Sequence, residues 1–221
     1  STYNEGLERA PKAETMSDKY NMERSSQGVA EVLRIAKRRG RVLILIQNNP
    51  DPDAIASAVA LRYLLHEKVK KRAVIGYAGA CGRAENRAML KVLKIDARVI
   101  SPDLLPKFRT LCLVDTQPRS GNNALYTRRP AEIVIDHHIL PKRYEKRAWV
   151  SEFSDVRPEY GATSTIMYEY LLAADIRPTG NLATALFYGI QADTQELGRE
   201  ACPADFAAAQ ELMVLADPKK L

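Results

Sequence analysis

Three short apolar runs, each closed by acidic residues, constrain this chain more than any other feature. RVLILIQNN carries the unbroken apolar stretch Val42 to Ile46 and leads to Asp51 and Asp53. LCLVD ends at Asp115, and EIVIDHH ends at Asp136, His137 and His138. A strand that is apolar at every position is covered on both faces, as in the parallel sheets of α/β proteins. The first run is followed by the turn NNPDPD and a helix on which Ile55, Val59 and Tyr63 share one face, with Asp53 suited to its N-cap. Strand, loop, helix is the opening unit of a doubly wound, mainly parallel α/β sheet flanked by helices.

The unit recurs. RAVIGY predicts a strand, Arg83 to Leu93 a helix, and Arg98 to Ile100 and Ala148 to Val150 two further short strands. GATSTIMYEYLLAA, Leu182 to Ala192 and Pro203 to Leu215 predict three helices. Residues 1–24 are polar and without period, and read as an arm or linker ahead of a domain over 25–221. That domain opens with a helix capped by Ser26 and carrying Val29, Val32, Leu33 and Ala36. The basic run Lys37, Arg38, Arg39 near its end reads as a solvated helix terminus.

Composition closes off other classes. At 46% apolar in 221 residues, the chain is neither disordered nor short of core. No apolar run approaches the roughly 20 residues of a membrane span. No secretory leader is present, so a cytoplasmic, membrane-free protein is expected. Cys81, Cys112 and Cys202 lack CxxC spacing and read as reduced thiols. The formal net charge of +6 favours anionic ligands such as phosphates or nucleic acid.

In open parallel sheets, ligands bind outside the carboxyl ends of the strands. Asp51, Asp53, Asp115, Asp136, His137 and His138 all fall at such ends, and Asp193 closes the apolar segment ALFYGIQA. Carboxylates gathered in one crevice repel and raise one another's pKa values, which divalent cations relieve. Oxygen ligands suit Mg²⁺ and Mn²⁺, and an added imidazole shifts the balance toward Mn²⁺. An Asp-x-Asp pair can feed two ions and Asp115 can bridge them, the arrangement of two-metal phosphoester or phosphoanhydride hydrolysis. His66, beside Glu67 and Lys68 on a helix, reads as surface.

NPDPDAIASA, LVDTQ, IDHH and GIQADT, in that order, resemble the DHH phosphoesterase family over about Gly40 to Leu221. The resemblance is strongest to the branch of short-RNA exonucleases and bisphosphonucleotide phosphatases. It implies that Asp51 binds the first of two Mn²⁺ or Mg²⁺ ions and Asp53 the second. Asp115 would bridge them, and His137 and Asp193 would complete the second site. His138 would face the substrate phosphate, Asp136 would orient the histidines, and a metal-bound hydroxide would attack. The implied substrate is a nucleotide or a short single-stranded nucleic acid, with a homodimer left open.

Two departures stand out. Many members carry a first-metal histidine four residues before the Asp51 position; here it is Gln47, a weaker ligand. The family's C-terminal substrate-binding domain is also not found after ELMVLADPKKL. Substrate contacts are expected from Arg83, Asn86 and Arg87 in GRAENRA, and from Arg119, Ser120, Gly121 and Asn122 in PRSGNN. Gly161 to Ser164 suits either an anion at a helix N-terminus or plain capping and close packing. Two other readings are a nucleotide-sensing domain with an impaired first metal site and a nucleic-acid-binding module resting on charge.

Overall fold

Val42, Ile44 and Ile46 enter one hydrophobic core, while Leu43 and Leu45 enter a second on the other side of the sheet. Cys112 and Val114 against Leu111 and Leu113, and Ile133 and Ile135 against Val134, divide in the same way. That two-sided burial is why these segments read as continuous apolar runs.

The computed structural model describes residues 19–125, 129–139 and 151–220. In chain order the described elements are α1 (Met22–Ala36), β1 (Val42–Leu45), α2 (Pro52–Val69), β2 (Ala73–Tyr77), α3 (Ala84–Val92) and β3 (Ala97–Val99). A 3-10 segment (Pro102–Lys107) leads to β4 (Thr110–Val114), β5 (Ile133–Asp136) and β6 (Phe153–Val156). Then come α4 (Thr163–Ala173), α5 (Asn181–Asp193) and α6 (Pro203–Leu215). The six strands pair in parallel in the order β3-β2-β1-β4-β5-β6. The chain winds outward from β1 to β3, returns to β4 and winds the other way, so the order reverses between β1 and β4. That point is where such sheets hold ligands. The fold is the doubly wound α/β sheet expected from the runs.

Three expectations need correction. α1 begins before Ser26: Asn21 caps it, accepting from the Arg24 amide at 3.1 Å, and Ser26 Oγ instead donates to the Met22 carbonyl. Its polar first turn is tied down by charge, with Arg24 Nε on Asp155 at 2.8 Å. The N-cap of α2 is Asp51, not Asp53; Pro52 takes the first helical position, where its missing N–H costs nothing. On α2, Ile55 is buried but Tyr63 is 42% exposed, because α4 and α5 cover the adjacent Ala56, Ala60 and Leu64 face. The strand expected at Ala148 to Val150 lies outside the described residues, and the sixth strand runs over Phe153–Val156.

A buried charge network joins β6, α1 and α4. Arg157 is fully buried and bridges Asp155 and Glu169, each at 2.7 Å, while also donating to Ser25 Oγ. Tyr160 Oη and Tyr170 Oη donate to Glu169 and Asp155. Among the described residues no helix is long and apolar enough to cross a membrane.

Candidate metal centre

The carboxyl ends of β1, β4 and β5 and the last turn of α5 meet at the reversal point. Asp51, as N-cap, accepts from the Ala54 amide at 2.9 Å. Asp53, in the first turn of the same helix, is fully buried, and the N-terminus of α4 grips it: the amides of Thr163 and Ser164 each donate to it at 2.8 Å. The anion at the GATS helix end is therefore this protein's own carboxylate.

Asp115 follows β4 with φ 57, a left-handed backbone that a non-glycine residue seldom holds. Its buried carboxylate accepts from Thr163 Oγ1 at 2.8 Å. Asp136 accepts from the His137 amide and His138 Nδ1, each at 2.8 Å, and from Gln117 Nε2.

His137 is the residue whose surroundings best fit a metal ligand. Its Nδ1 lies 3.0 Å from the Tyr160 carbonyl, which only a protonated nitrogen can satisfy. Its Nε2 lies 3.0 Å from Asp193 and 3.7 Å from Asp115, yet it is buried with no well-formed hydrogen bond. A lone pair facing carboxylates needs a proton or a metal between them, and the second arrangement is common for ligating imidazoles. Two sets bring their donor atoms within 4.8 Å of one another: Asp53, His137 and Asp193, and Asp115, His137 and His138. The donors are hard oxygens with imidazole, a set suited to Mn²⁺ or Mg²⁺.

The electrostatics agree. Burial, then the neighbouring Asp193, pushes Asp53 up to about 7. Asp115 is driven well above the usual carboxylate range by burial and by Asp53 and Asp51. Asp51 is also raised, mainly by burial. Burial works to lower His137, but the close approach of Asp193 and the charge of Asp53 outweigh it and hold the ring at about 9. His138 is raised by its bond to Asp136. Among the described residues none of the five carboxylates forms an ion pair with a lysine or arginine.

Gln47 donates its amide nitrogen to Asp51 Oδ2 and lies 3.5 Å from Asp115 Oδ2, while its Oε1 faces Asn122 Nδ2. Arg83, exposed, lines a cleft of about 330 Å³ together with Gln47, Asn49, Asp51, Gly82 and Asn86. Asn86 is buried, and its Nδ2 holds the Pro50 carbonyl at 2.8 Å. Arg87 ties the Cys81 and Gly82 carbonyls rather than reaching the cleft. Asn122 accepts from Thr116 Oγ1 and sits beside Gln47; Arg119 lies in the same loop with φ 67. His66 is exposed beside Glu67.

Sequence reasoning did not single out Gln117 or Tyr160 as site residues, and it read Thr163 only within the Gly161 to Ser164 segment, as an anion site or a cap and not as the support of Asp115. Thr163 holds Asp115, Gln117 holds both Asp136 and the His138 carbonyl, and Tyr160 contributes only its backbone oxygen.

Residues 41–190 match the DHH family, N-terminal domain. Two proteins of Methanocaldococcus jannaschii, both named as uncharacterized, are similar. The first is 40% identical over 182 residues, 82% of this chain and 36% of its own length. The second is 28% identical over 165 residues, 72% of this chain and 47% of its own length. The chain thus spans under half of either relative. An exopolyphosphatase-related protein from Bacteroides fragilis shares the fold, with a TM-score of 0.64 at 17% identity over 85% of this chain and 56% of that one. With the match covering most of the chain and including the Asp115 and Asp136-His137-His138 strand ends, the chain belongs to the DHH family.

Proposed function

We propose that this chain is a divalent-metal-dependent phosphoesterase that takes two ions, Mn²⁺ or Mg²⁺, and acts on a nucleotide or a short oligonucleotide. The observation that carries the reading is the buried His137 Nε2, without a well-formed hydrogen bond, facing carboxylates that no lysine or arginine pairs with among the described residues. Asp53, His137 and Asp193 would hold one ion. Asp51, with Gln47 beside it, would hold the other, and Asp115 would be shared between them. Bound divalent ions supply charge neutralisation at the phosphate and acidify water at neutral pH.

The chain's own groups do the rest. Thr163 Oγ1 fixes the Asp115 carboxylate, and the α4 amides fix Asp53. Asp136 engages His138 Nδ1, favouring the charged ring and leaving Nε2–H to donate to a phosphate or leaving-group oxygen. Arg83 offers a guanidinium fork at the cleft beside Asp51, a volume suited to one nucleotide unit.

The test is turnover of a substrate panel with Mn²⁺ or Mg²⁺: a ribodinucleotide, a 3′,5′-bisphosphonucleotide and inorganic polyphosphate. The reading expects a nucleotide substrate to be cleaved, and Asp193→Ala to lose at least about 100-fold while staying folded. Preference for polyphosphate, in keeping with the name of the Bacteroides fragilis protein, would overturn the substrate class. Equal activity in Asp193→Ala would overturn the centre.

A second reading rests on Gln47, which turns its amide nitrogen, not its oxygen, toward Asp51 and Asp115. In that orientation it is a donor to carboxylates and not a ligand, and the chain would bind one ion and sense nucleotides without cleaving them. A second ion gained only in Gln47→His would favour this reading.

A further inference from the structure

The amino ends of the strands, opposite the metal centre, carry a concentration of positive charge. Three segments enter the adjacent strands β2, β1 and β4: KVKKR at 68–72, KRRGR at 37–41 and KFR at 107–109. Together they hold four, four and two basic residues and no acid. Val42 is in register with both Ala73 and Thr110, so Arg41, Arg72 and Arg109 lie side by side at one sheet edge. The segments touch: the Arg109 amide donates to the Arg41 carbonyl at 2.9 Å, and Lys71 Nζ reaches the Arg38 carbonyl. All ten basic side chains except Lys71 are exposed.

Helix C-termini favour cations, which accounts for Lys37 and Lys70. It does not account for Arg41, Arg72, Lys107 and Arg109, which lead into strands. None of these four, nor Arg39, forms an ion pair among the described residues. Arg41 is propped over the Phe108 ring at 4.7 Å and thereby held outward. Among the described residues Arg38 of the crown is paired with Glu152, and Glu67 lies in the field of Lys68 and Lys70.

Beside this crown lies a groove of about 360 Å³ lined by Tyr63, His66, Arg62, Lys71 and Arg72. Tyr63 is 42% exposed, a large aromatic left to solvent on a helix otherwise well covered. A basic track running into a groove with an exposed ring is the combination that binds single strands, by backbone charge and by base stacking. Exposed aliphatic wedges, which a lipid surface would call for, are found on α3, β3 and α6 and after β5, not on this crown.

We propose that this pole is a second nucleic-acid contact: a single strand lays its phosphates along the three basic segments and stacks a base on Tyr63. The site stands apart from the metal centre, roughly 20 Å away along β1, and does not depend on the proposed chemistry there. It would anchor a strand longer than the cleft beside Asp51 can hold.

The test is fluorescence anisotropy with a labelled oligouridylate of about 20 nucleotides, in EDTA, between about 50 and 200 mM KCl. The expected result is binding that weakens steeply with salt. Arg39→Gln/Arg72→Gln/Lys107→Gln should weaken it at least about tenfold and flatten the log–log salt slope by about 2, at roughly 0.7 per lost phosphate contact. Tyr63→Ala should weaken binding about tenfold with little change in slope. Unaltered Mn²⁺ affinity and melting temperature in the triple variant would show that only the pole was changed. Affinity in the triple variant equal to that of the unmodified chain would overturn the proposal. So would capture of phosphatidylserine vesicles with no binding of the oligonucleotide, which would make the pole a membrane contact.

Discussion

Asp53 and Asp193 reach the same imidazole under opposite local conditions. Asp53 sits at the N-terminus of α4, where free amides and the helix dipole favour an anion. Asp193 occupies the last position of α5, where the dipole disfavours one. A carboxylate kept at the wrong end of a helix points to a cation beyond it. The raised carboxylates also set a pH dependence. Asp53 ionises near 4 in the unfolded chain and at about 7 in the fold, and His137 titrates at about 9 in place of about 6.5. Between those limits the folded chain holds protons that the unfolded chain has released, so stability of the metal-free protein falls as pH rises from about 4 to about 9. Asp155, whose carboxyl burial would raise but the Arg157 hydrogen bond lowers, acts the other way and only below about 4. Thermal melts in EDTA across that range should show a falling midpoint. The increment from added Mn²⁺ should grow with pH, and a midpoint that rises with pH would contradict the account.

At the scale of elements, close helix packing sets the site. A Cβ at Gly189 of α5 would lie 2.5 Å from Ser164 Oγ, 3.1 Å from Ala56 Cβ and 3.3 Å from Asp53 Cα. Gly189→Ala should therefore part α5 from α2 and α4, cost about 1–3 kcal/mol, and weaken Mn²⁺ binding because Asp53 and Asp193 separate. Chemical denaturation and calorimetry read the two effects. Arg157→Met would leave Asp155 and Glu169 buried without their partner and should cost about 3–5 kcal/mol in urea unfolding.

The same elements explain what the sequence could and could not reveal. β1, β4 and β5 were legible because burial on both faces leaves continuous apolar text. β6 was not, because Phe153–Val156 is an edge strand whose buried Asp155 answers a charge network. The start of α1 was hidden for the same reason: its first turn is held by Glu169 and Asp155, not by apolar periodicity. The cap of α2 could have been read from Pro52, which favours the first helical position and so points to Asp51. At the site, the acids and histidines announced themselves by falling at strand ends. Tyr160 could not, since a backbone carbonyl leaves no mark on residue choice.

The molecule as a whole is polarised. Among the described residues, carboxylates gather at the carboxyl ends of the strands and exposed basic residues at the amino ends, so the two poles meet a polyanion differently. With two ions bound, as proposed, the acidic crevice would attract a phosphate and no longer repel it. The number of ions bound therefore decides whether this centre is a two-metal site. Titration of the metal-free chain with Mn²⁺ by calorimetry should reach saturation at two ions per chain, and Asp115→Ala should lose at least one of them. Absence of saturable binding, or a full complement of ions in Asp115→Ala, would contradict that reading.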